Sequence, residues 1–305
     1  MIKLTEVVMY LLTYIYKDKE YIGFLDEEKK GIIPASKVFL ELNIDEPKDM
    51  LSLIDIFDNV GSEKIKKALH SCKAEIMLNQ VKISAPIPYP RRNIFCLGKN
   101  YLDHVHEVKS LKNVNADVPK NPIYFSKVAY PAIGHEDFID SHFPIVKDLD
   151  YEVELAVVIG KKCKNVSKEE AESIIFGYTI CNDISARDLQ QEHVQWHKGK
   201  SVDTFTPLGP YIAHKTNISF PPCLEIKSYV NGELRQNSNT NQLIFDIPTI
   251  ISDLSSCITL YPGDIILTGT PAGVGAGFNP PNYLKQGDVV KCYIENIGEL
   301  SNAVK

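Results

Sequence analysis

Apolar positions fall mostly in short, strand-length runs, and helical spacing is confined to a few segments. The run Val7-Val-Met-Tyr-Leu-Leu-Thr-Tyr-Ile-Tyr16 is rich in Val, Ile and Tyr and predicts a strand. Further strands are expected near 20–25 and 31–34, joined by charged turns such as Asp26-Glu-Glu-Lys-Lys-Gly31. Met50 to Phe57 and Glu63 to Cys72 carry apolar residues at helical spacing, with Gly61-Ser62 between them as a stop and an N-cap. The Pro-rich segment Ala85-Pro-Ile-Pro-Tyr-Pro90 can neither continue a helix nor pair within a central strand. It divides a small N-terminal α+β domain, residues 1–84, from a larger domain, residues 85–305. There, strands are predicted at 93–97, 150–160, 176–183, 265–268, 289–294 and 299–304. Helices are predicted at 101–108, from the capping box Ser167-Lys-Glu-Glu170 to about Ile175, at 185–197, and from Pro248 to about Ile258.

Composition narrows the class without identifying it. With 305 residues and 44% hydrophobic content, the chain can build one large core or two unequal ones. The formal charge is -6 and the 33 basic residues form no long block, which argues against a nucleic-acid partner. Seven cysteines lie far apart without a Cys-x-x-Cys pair, so they predict core filling in a reducing cytoplasm and no disulfide or zinc framework. The apolar run at 7–16 follows Glu6, precedes Lys-Asp-Lys-Glu, lacks a small-residue cleavage site and is too short to span a bilayer, so no membrane partner is expected.

The chemistry concentrates in Asp150-Tyr-Glu-Val-Glu-Leu-Ala-Val-Val-Ile-Gly160. In a strand, Tyr151, Val153, Leu155, Val157 and Ile159 share one wholly apolar face, while Glu152 and Glu154 open the other. Two unpaired buried carboxylates would cost several kcal/mol each, so a cation is expected between them; the alternative is a solvated acidic edge. Asp183 ends the next mostly apolar run, Phe176-Gly-Tyr-Thr-Ile-Cys-Asn-Asp183, and offers a third oxygen ligand. Three carboxylates with open positions left over suit Mg²⁺ or Mn²⁺ better than tetrahedral Zn²⁺. Three other motifs lack a required residue or spacing: His193/His197 without a Glu at 194, Gly199-Lys200-Ser201 without the first P-loop glycine, and Gly273-Val-Gly-Ala-Gly277.

Glu-Val-Glu-Leu-Ala-Val-Val-Ile-Gly (152–160) followed by Gly-Tyr-Thr-Ile-Cys-Asn-Asp-Ile-Ser-Ala-Arg-Asp-Leu-Gln (177–190) resembles the fumarylacetoacetate hydrolase family. So do Cys-Leu-Gly-Lys-Asn-Tyr (96–101), Gly-Lys-Ser-Val-Asp-Thr-Phe-Thr-Pro-Leu-Gly-Pro (199–210), Asn-Gly-Glu-Leu-Arg-Gln (231–236) and Leu-Thr-Gly-Thr-Pro-Ala-Gly-Val-Gly (267–275), in order. The resemblance implies an α+β, mainly β fold: a mixed β-roll catalytic domain preceded by the small N-terminal α+β domain, in a homodimer. It also implies roles for particular side chains. His104 and Glu107, one helical turn apart, read by themselves as a surface ion pair or as a carboxylate-oriented imidazole. The resemblance favours the second, as a water-activating pair on a mobile lid, with 109–120 as the flexible part. Lys200 is implied beside metal and substrate. Arg187 and Gln190, one turn apart, are implied as substrate contacts, although Arg187 could equally pair with Asp188 or a ligand carboxylate. Thr270 sits at a turn where its hydroxyl could hold a substrate carboxylate.

The activity implied is divalent-metal-dependent cleavage of a carbon-carbon bond in a 2-oxo (β-dicarbonyl) acid through a metal-bound enolate, as an oxaloacetate decarboxylase or acylpyruvate hydrolase. Two alternatives stay open at this point. One is an isomerase of the 2-hydroxyhepta-2,4-diene-1,7-dioate type; the other is a non-catalytic metal-binding scaffold.

Overall fold

The structure, a computed structural model, describes residues 7–107 and 117–305. Most of the lid expected at 109–120 therefore lies outside the described residues. Among the described residues, eleven strands form one mixed sheet. Its spatial order is Ile76–Met77, Gly31–Pro34, Lys19–Leu25, Tyr10–Tyr16, Leu208–His214, Ile175–Asn182, Val153–Ile159, Ile265–Leu267, Ile94–Gly98 and Ile123–Lys127, with Lys82–Ile83 pairing beside Tyr10–Tyr16. A five-stranded sheet orders Glu233–Asn239, Glu225–Val230, Val289–Ile294, Gly298–Val304 and Phe138–Ile139.

The Val153–Ile159 and Ile175–Asn182 strands are buried along their whole length because both faces of the large sheet are covered. Val153, Leu155, Val157 and Ile159 pack with Tyr151, Tyr178 and Ile180 into a core shared with Ile226, Val290 and Ile294 of the small sheet. Ala156 and Val158 face the other way, into a core with Leu208, Ile212, Leu53, Ile54 and Phe57. The period of two thus sorts the strand as its sequence predicts, and double burial explains why the run is apolar on both faces. Tyr10 and Leu11 lie opposite Ala213 and Ile212, so the N-terminal strands extend the same sheet. No helix of the described residues is long and apolar enough to cross a membrane.

Local chemistry sets several element ends. The Met50–Val60 helix starts at a capping box in which Asp49 accepts from the Ser52 amide and Ser52 from the Asp49 amide. Gly61, at φ 87, rather than Ser62, caps the next helix, Ser62–Ser71. Glu170 Oε2 accepts the Ser167 amide at 3.0 Å, but the helix is only Ala171–Ile174, because Ile175 already pairs with Ile159 in the sheet. The helix expected at 185–197 is broken into Arg187–Glu192 and His197–Lys200. Between them the chain turns so that Trp196 packs on Phe125, ring centroids 5.3 Å apart, in space that Gly98 leaves open. Tertiary packing here overrides helical periodicity.

His214 ends its strand between Phe57 and Phe176, with ring centroids 4.8 and 5.5 Å away. Burial, then the charges of Lys215 and Lys66, push its pKa down to about 3. A depressed imidazole contributes stability that is complete above the unfolded pKa near 6.5. That stability is lost at about 1.4 kcal/mol per pH unit as pH falls toward the folded value. His214→Phe should therefore flatten the acid side of the stability curve when each protein is referenced to its own value at pH 8. Identical acid limbs in chemical denaturation would contradict this.

Candidate active site and metal centre

Glu152, Glu154 and Asp183 meet where the two central strands end. Val153 lies opposite Asn182 and Glu154 opposite Cys181. Beyond the last strand pair, the Asp183 amide donates to the Glu152 carbonyl at 2.8 Å, and the Glu152 amide to Asn182 Oδ1 at 3.0 Å. These backbone contacts bring one oxygen from each of the three carboxylates within 4.8 Å of one another, all buried. The trio predicted from sequence is thus assembled in space.

Cations surround it unevenly. Lys200 Nζ lies between Glu152 Oε2 and Asp183 Oδ2, 2.6 Å from each. Lys127 Nζ sits 2.7 Å from Asp183 Oδ1 and donates to the Ile184 carbonyl. Arg187 reaches Asp150 through Nε at 2.9 Å and Glu152 through Nη2 at 2.6 Å. Counting Asp150, four buried carboxylates face three buried cations, and Glu154 is the one with no ion-pair partner among the described residues. Burial, then Asp183 and Glu152, push the Glu154 carboxyl well above its ordinary range. Burial also opposes ionisation of Glu152, but Lys200 and Arg187 outweigh it and hold the group down, to about 2. A set of hard oxygens with one carboxylate lacking a cation fits a divalent metal such as Mg²⁺ or Mn²⁺, which Glu152, Glu154 and Asp183 would hold.

The second part of the site comes from the Leu102–Glu107 helix. His104 is buried, and its Nδ1 lies 3.2 Å from Glu107 Oε2. A carboxylate accepts, so Nδ1 carries a proton, and in the neutral ring Nε2 is the nitrogen with the free lone pair. Glu107 Oε1 in turn accepts the Gly273 amide at 2.8 Å.

The remaining predicted residues take structural partners in this arrangement. Gln190 Oε1 accepts from Arg187 Nη1 at 3.1 Å, so the pair shares a face as predicted. The Thr270 hydroxyl donates to the Val153 carbonyl at 2.9 Å and accepts from Gln236 Nε2 at 2.7 Å. His193 and His197 turn to separate carbonyls, those of Leu189 and Ser126. Three residues escaped sequence reasoning. Asp150 shares the two-residue spacing of Glu152 and Glu154, a signal that was available. Gln236, fully buried, bonds the Val153 amide and the Pro271 carbonyl. Lys127 closes the Ile123–Lys127 strand, and no local pattern places it against Asp183.

A buried oxygen-donor cluster and a carboxylate-oriented imidazole, joined through the Gly269–Gly273 segment, are groups able to bind a cation and to move a proton. Residues 93–305 match the family described as fumarylacetoacetate (FAA) hydrolase C-terminal, and the chain belongs to that family of enzymes. It is 50% identical over 227 residues, 74% of each chain, to the oxaloacetate tautomerase YisK of Bacillus subtilis. Its fold matches the fumarylacetoacetate hydrolase of Exiguobacterium antarcticum with a TM-score of 0.82 at 35% identity, covering 97% of this chain and 99% of that one. It also matches the maleylpyruvate hydrolase of Sphingobium sp. SYK-6, solved with manganese(II) and pyruvate, with a TM-score of 0.76 at 29% identity over 97% and 98% of the two chains.

Removing Lys200 leaves Glu152 and Asp183 facing each other without their shared ammonium. Lys200→Met should destabilise the metal-free protein by about 3–5 kcal/mol, with saturating Mn²⁺ restoring part of the loss. Thermal unfolding in EDTA and in Mn²⁺ reads both; an unchanged melting temperature in EDTA would contradict the assignment.

Proposed function

We propose that the chain is a divalent-metal-assisted enzyme acting on oxaloacetate or a close 2-oxo acid, and that its reaction is keto-enol interconversion. The observation that carries this reading is that the Glu152, Glu154 and Asp183 oxygens meet in one cluster while a single glycine segment joins Glu154 to Glu107, the partner of His104 Nδ1. The half-identical relative named for oxaloacetate tautomerisation supports it. A bound Mg²⁺ or Mn²⁺ supplies Lewis-acid charge beside the substrate's oxygens. His104 Nε2 takes a proton from the carbon next to the ketone and Glu107 steadies the resulting imidazolium. A proton returned to the ketone oxygen completes the enol. Lys200 and Arg187 place positive charge where that oxygen becomes negative, and the buried setting strengthens their effect. Gln190 keeps the Arg187 guanidinium oriented.

Carbon-carbon cleavage of the same substrate class is the second reading, supported by the likeness to a hydrolase solved with pyruvate. In decarboxylation carbon dioxide leaves; in acylpyruvate hydrolysis His104 takes the proton of an attacking water. A panel of oxaloacetate, acylpyruvates and 2-hydroxyhepta-2,4-diene-1,7-dioate, assayed with Mg²⁺ and with Mn²⁺, separates these outcomes. Ultraviolet absorbance follows the enol and a coupled assay follows pyruvate. Enol-keto exchange without pyruvate release is expected, and absence of turnover across the panel would remove the proposal. His104→Ala should keep Mn²⁺ affinity while turnover falls by about 10²–10⁴-fold, whereas Glu154→Ala should lose the metal itself. Unchanged turnover in both variants would place the chemistry elsewhere.

A further inference from the structure

The segment from Gly269 to Gly277 touches both parts of the site at once. At its start the Gly269 amide donates to Glu154 Oε2 at 2.7 Å, and at its middle the Gly273 amide donates to Glu107 Oε1. Buried groups hold the segment in place from Gly273 onward. The Tyr151 hydroxyl donates to the Gly273 carbonyl at 2.8 Å. Asp150 accepts the amides of Gly275 at 2.6 Å and Ala276 at 3.0 Å, while its carboxylate also takes Arg187 Nε. The next residue is Gly277. A Cβ built there would lie 2.2 Å from Glu107 Cδ and Oε1 and 2.3 Å from Cγ, so its three nearest atoms all belong to that one carboxylate side chain. The backbone at Gly277 is outside the left-handed region, so alanine is conformationally acceptable there. A methyl group at 277 therefore presses first on the placement of Glu107.

We propose that Gly277 is a positioning residue. Its missing side chain forms the seat for Glu107, and through Glu107 it sets His104 with Nδ1 protonated and Nε2 basic. Asp150 anchors the seat by fixing the two preceding amides, which ties the position of the imidazole to the buried ion network. The inference rests on His104 as the proton carrier of the reaction proposed above. A glycine kept only for folding would cost stability when replaced and would show no energetic dependence on Glu107.

The full-length protein with Gly277→Ala, Glu107→Gln and the double substitution tests the idea. Turnover of oxaloacetate is measured in saturating Mn²⁺, with metal affinity followed by electron paramagnetic resonance. Gly277→Ala should lower kcat by about tenfold to a hundredfold, the scale of a misplaced catalytic group, with KM and Mn²⁺ affinity held. The double variant should match Glu107→Gln to within about twofold, because both changes act on one contact. Long-range ¹H–¹⁵N spectra, with His104 assigned through His104→Gln, should show Nδ1 protonation in the unsubstituted protein and its loss in Gly277→Ala. A kcat in Gly277→Ala equal to that of the unsubstituted protein, or effects that multiply in the double variant, would overturn the proposal. If no 2-oxo acid is turned over, the reaction assignment fails separately, and an unchanged His104 tautomer in Gly277→Ala then overturns the seat by itself.

Discussion

The arrangement depends on placing four carboxylates, Asp150, Glu152, Glu154 and Asp183, in one buried region with three cations to balance them. Each ionised carboxylate loses hydration worth several kcal/mol, and attraction within the cluster offsets that loss only where geometry is close. Lys127, Lys200 and Arg187 satisfy three of the four directly. Glu154 takes the Gly269 amide, and burial together with Asp183 and Glu152 raises its carboxyl well above the ordinary range. A divalent cation has the charge and the oxygen preference that would complete the set. The electrostatic imbalance and the proposed chemistry are therefore one feature.

The surrounding fold buries this region. Two central strands buried on both faces deliver Glu152, Glu154 and Asp183 from backbone whose hydrogen bonds are already made. The glycine segment after Ile265–Leu267 carries positional information outward to Glu107 and His104. Helices supply His104, Glu107, Arg187, Gln190 and Lys200, while the central strands and the residues at their ends supply Glu152, Glu154 and Asp183. A displacement of the segment would move His104 relative to the acidic cluster without unfolding either core, a misplacement to which catalysis is sensitive.

Much of the acidic trio was legible in the sequence because ionised groups inside an apolar strand pattern violate a strong expectation. Period-two alternation then assigned Val153, Leu155, Val157 and Ile159 to one core correctly. Lys127 was not legible, because its partner is set by which strands become neighbours, and no local spacing encodes that. Asp150 followed the alternation of Glu152 and Glu154, but the strand pairing is interrupted at Tyr151-Glu152, and its carboxylate turns to Arg187 and the glycine segment. The Ser185–His197 stretch read as one helix, since helical periodicity carries no record of Trp196 packing against Phe125. The N-terminal strands were recognisable as strands, but amphipathic patterning is the same for a private sheet as for one continued through Leu208–His214.

The central claim is that Glu152, Glu154 and Asp183 grip one divalent ion. Crystals grown with Mn²⁺ and measured on either side of the manganese absorption edge test it directly. The account predicts a single anomalous peak bounded by those three side chains. No peak there, or a peak held by other residues, would contradict it.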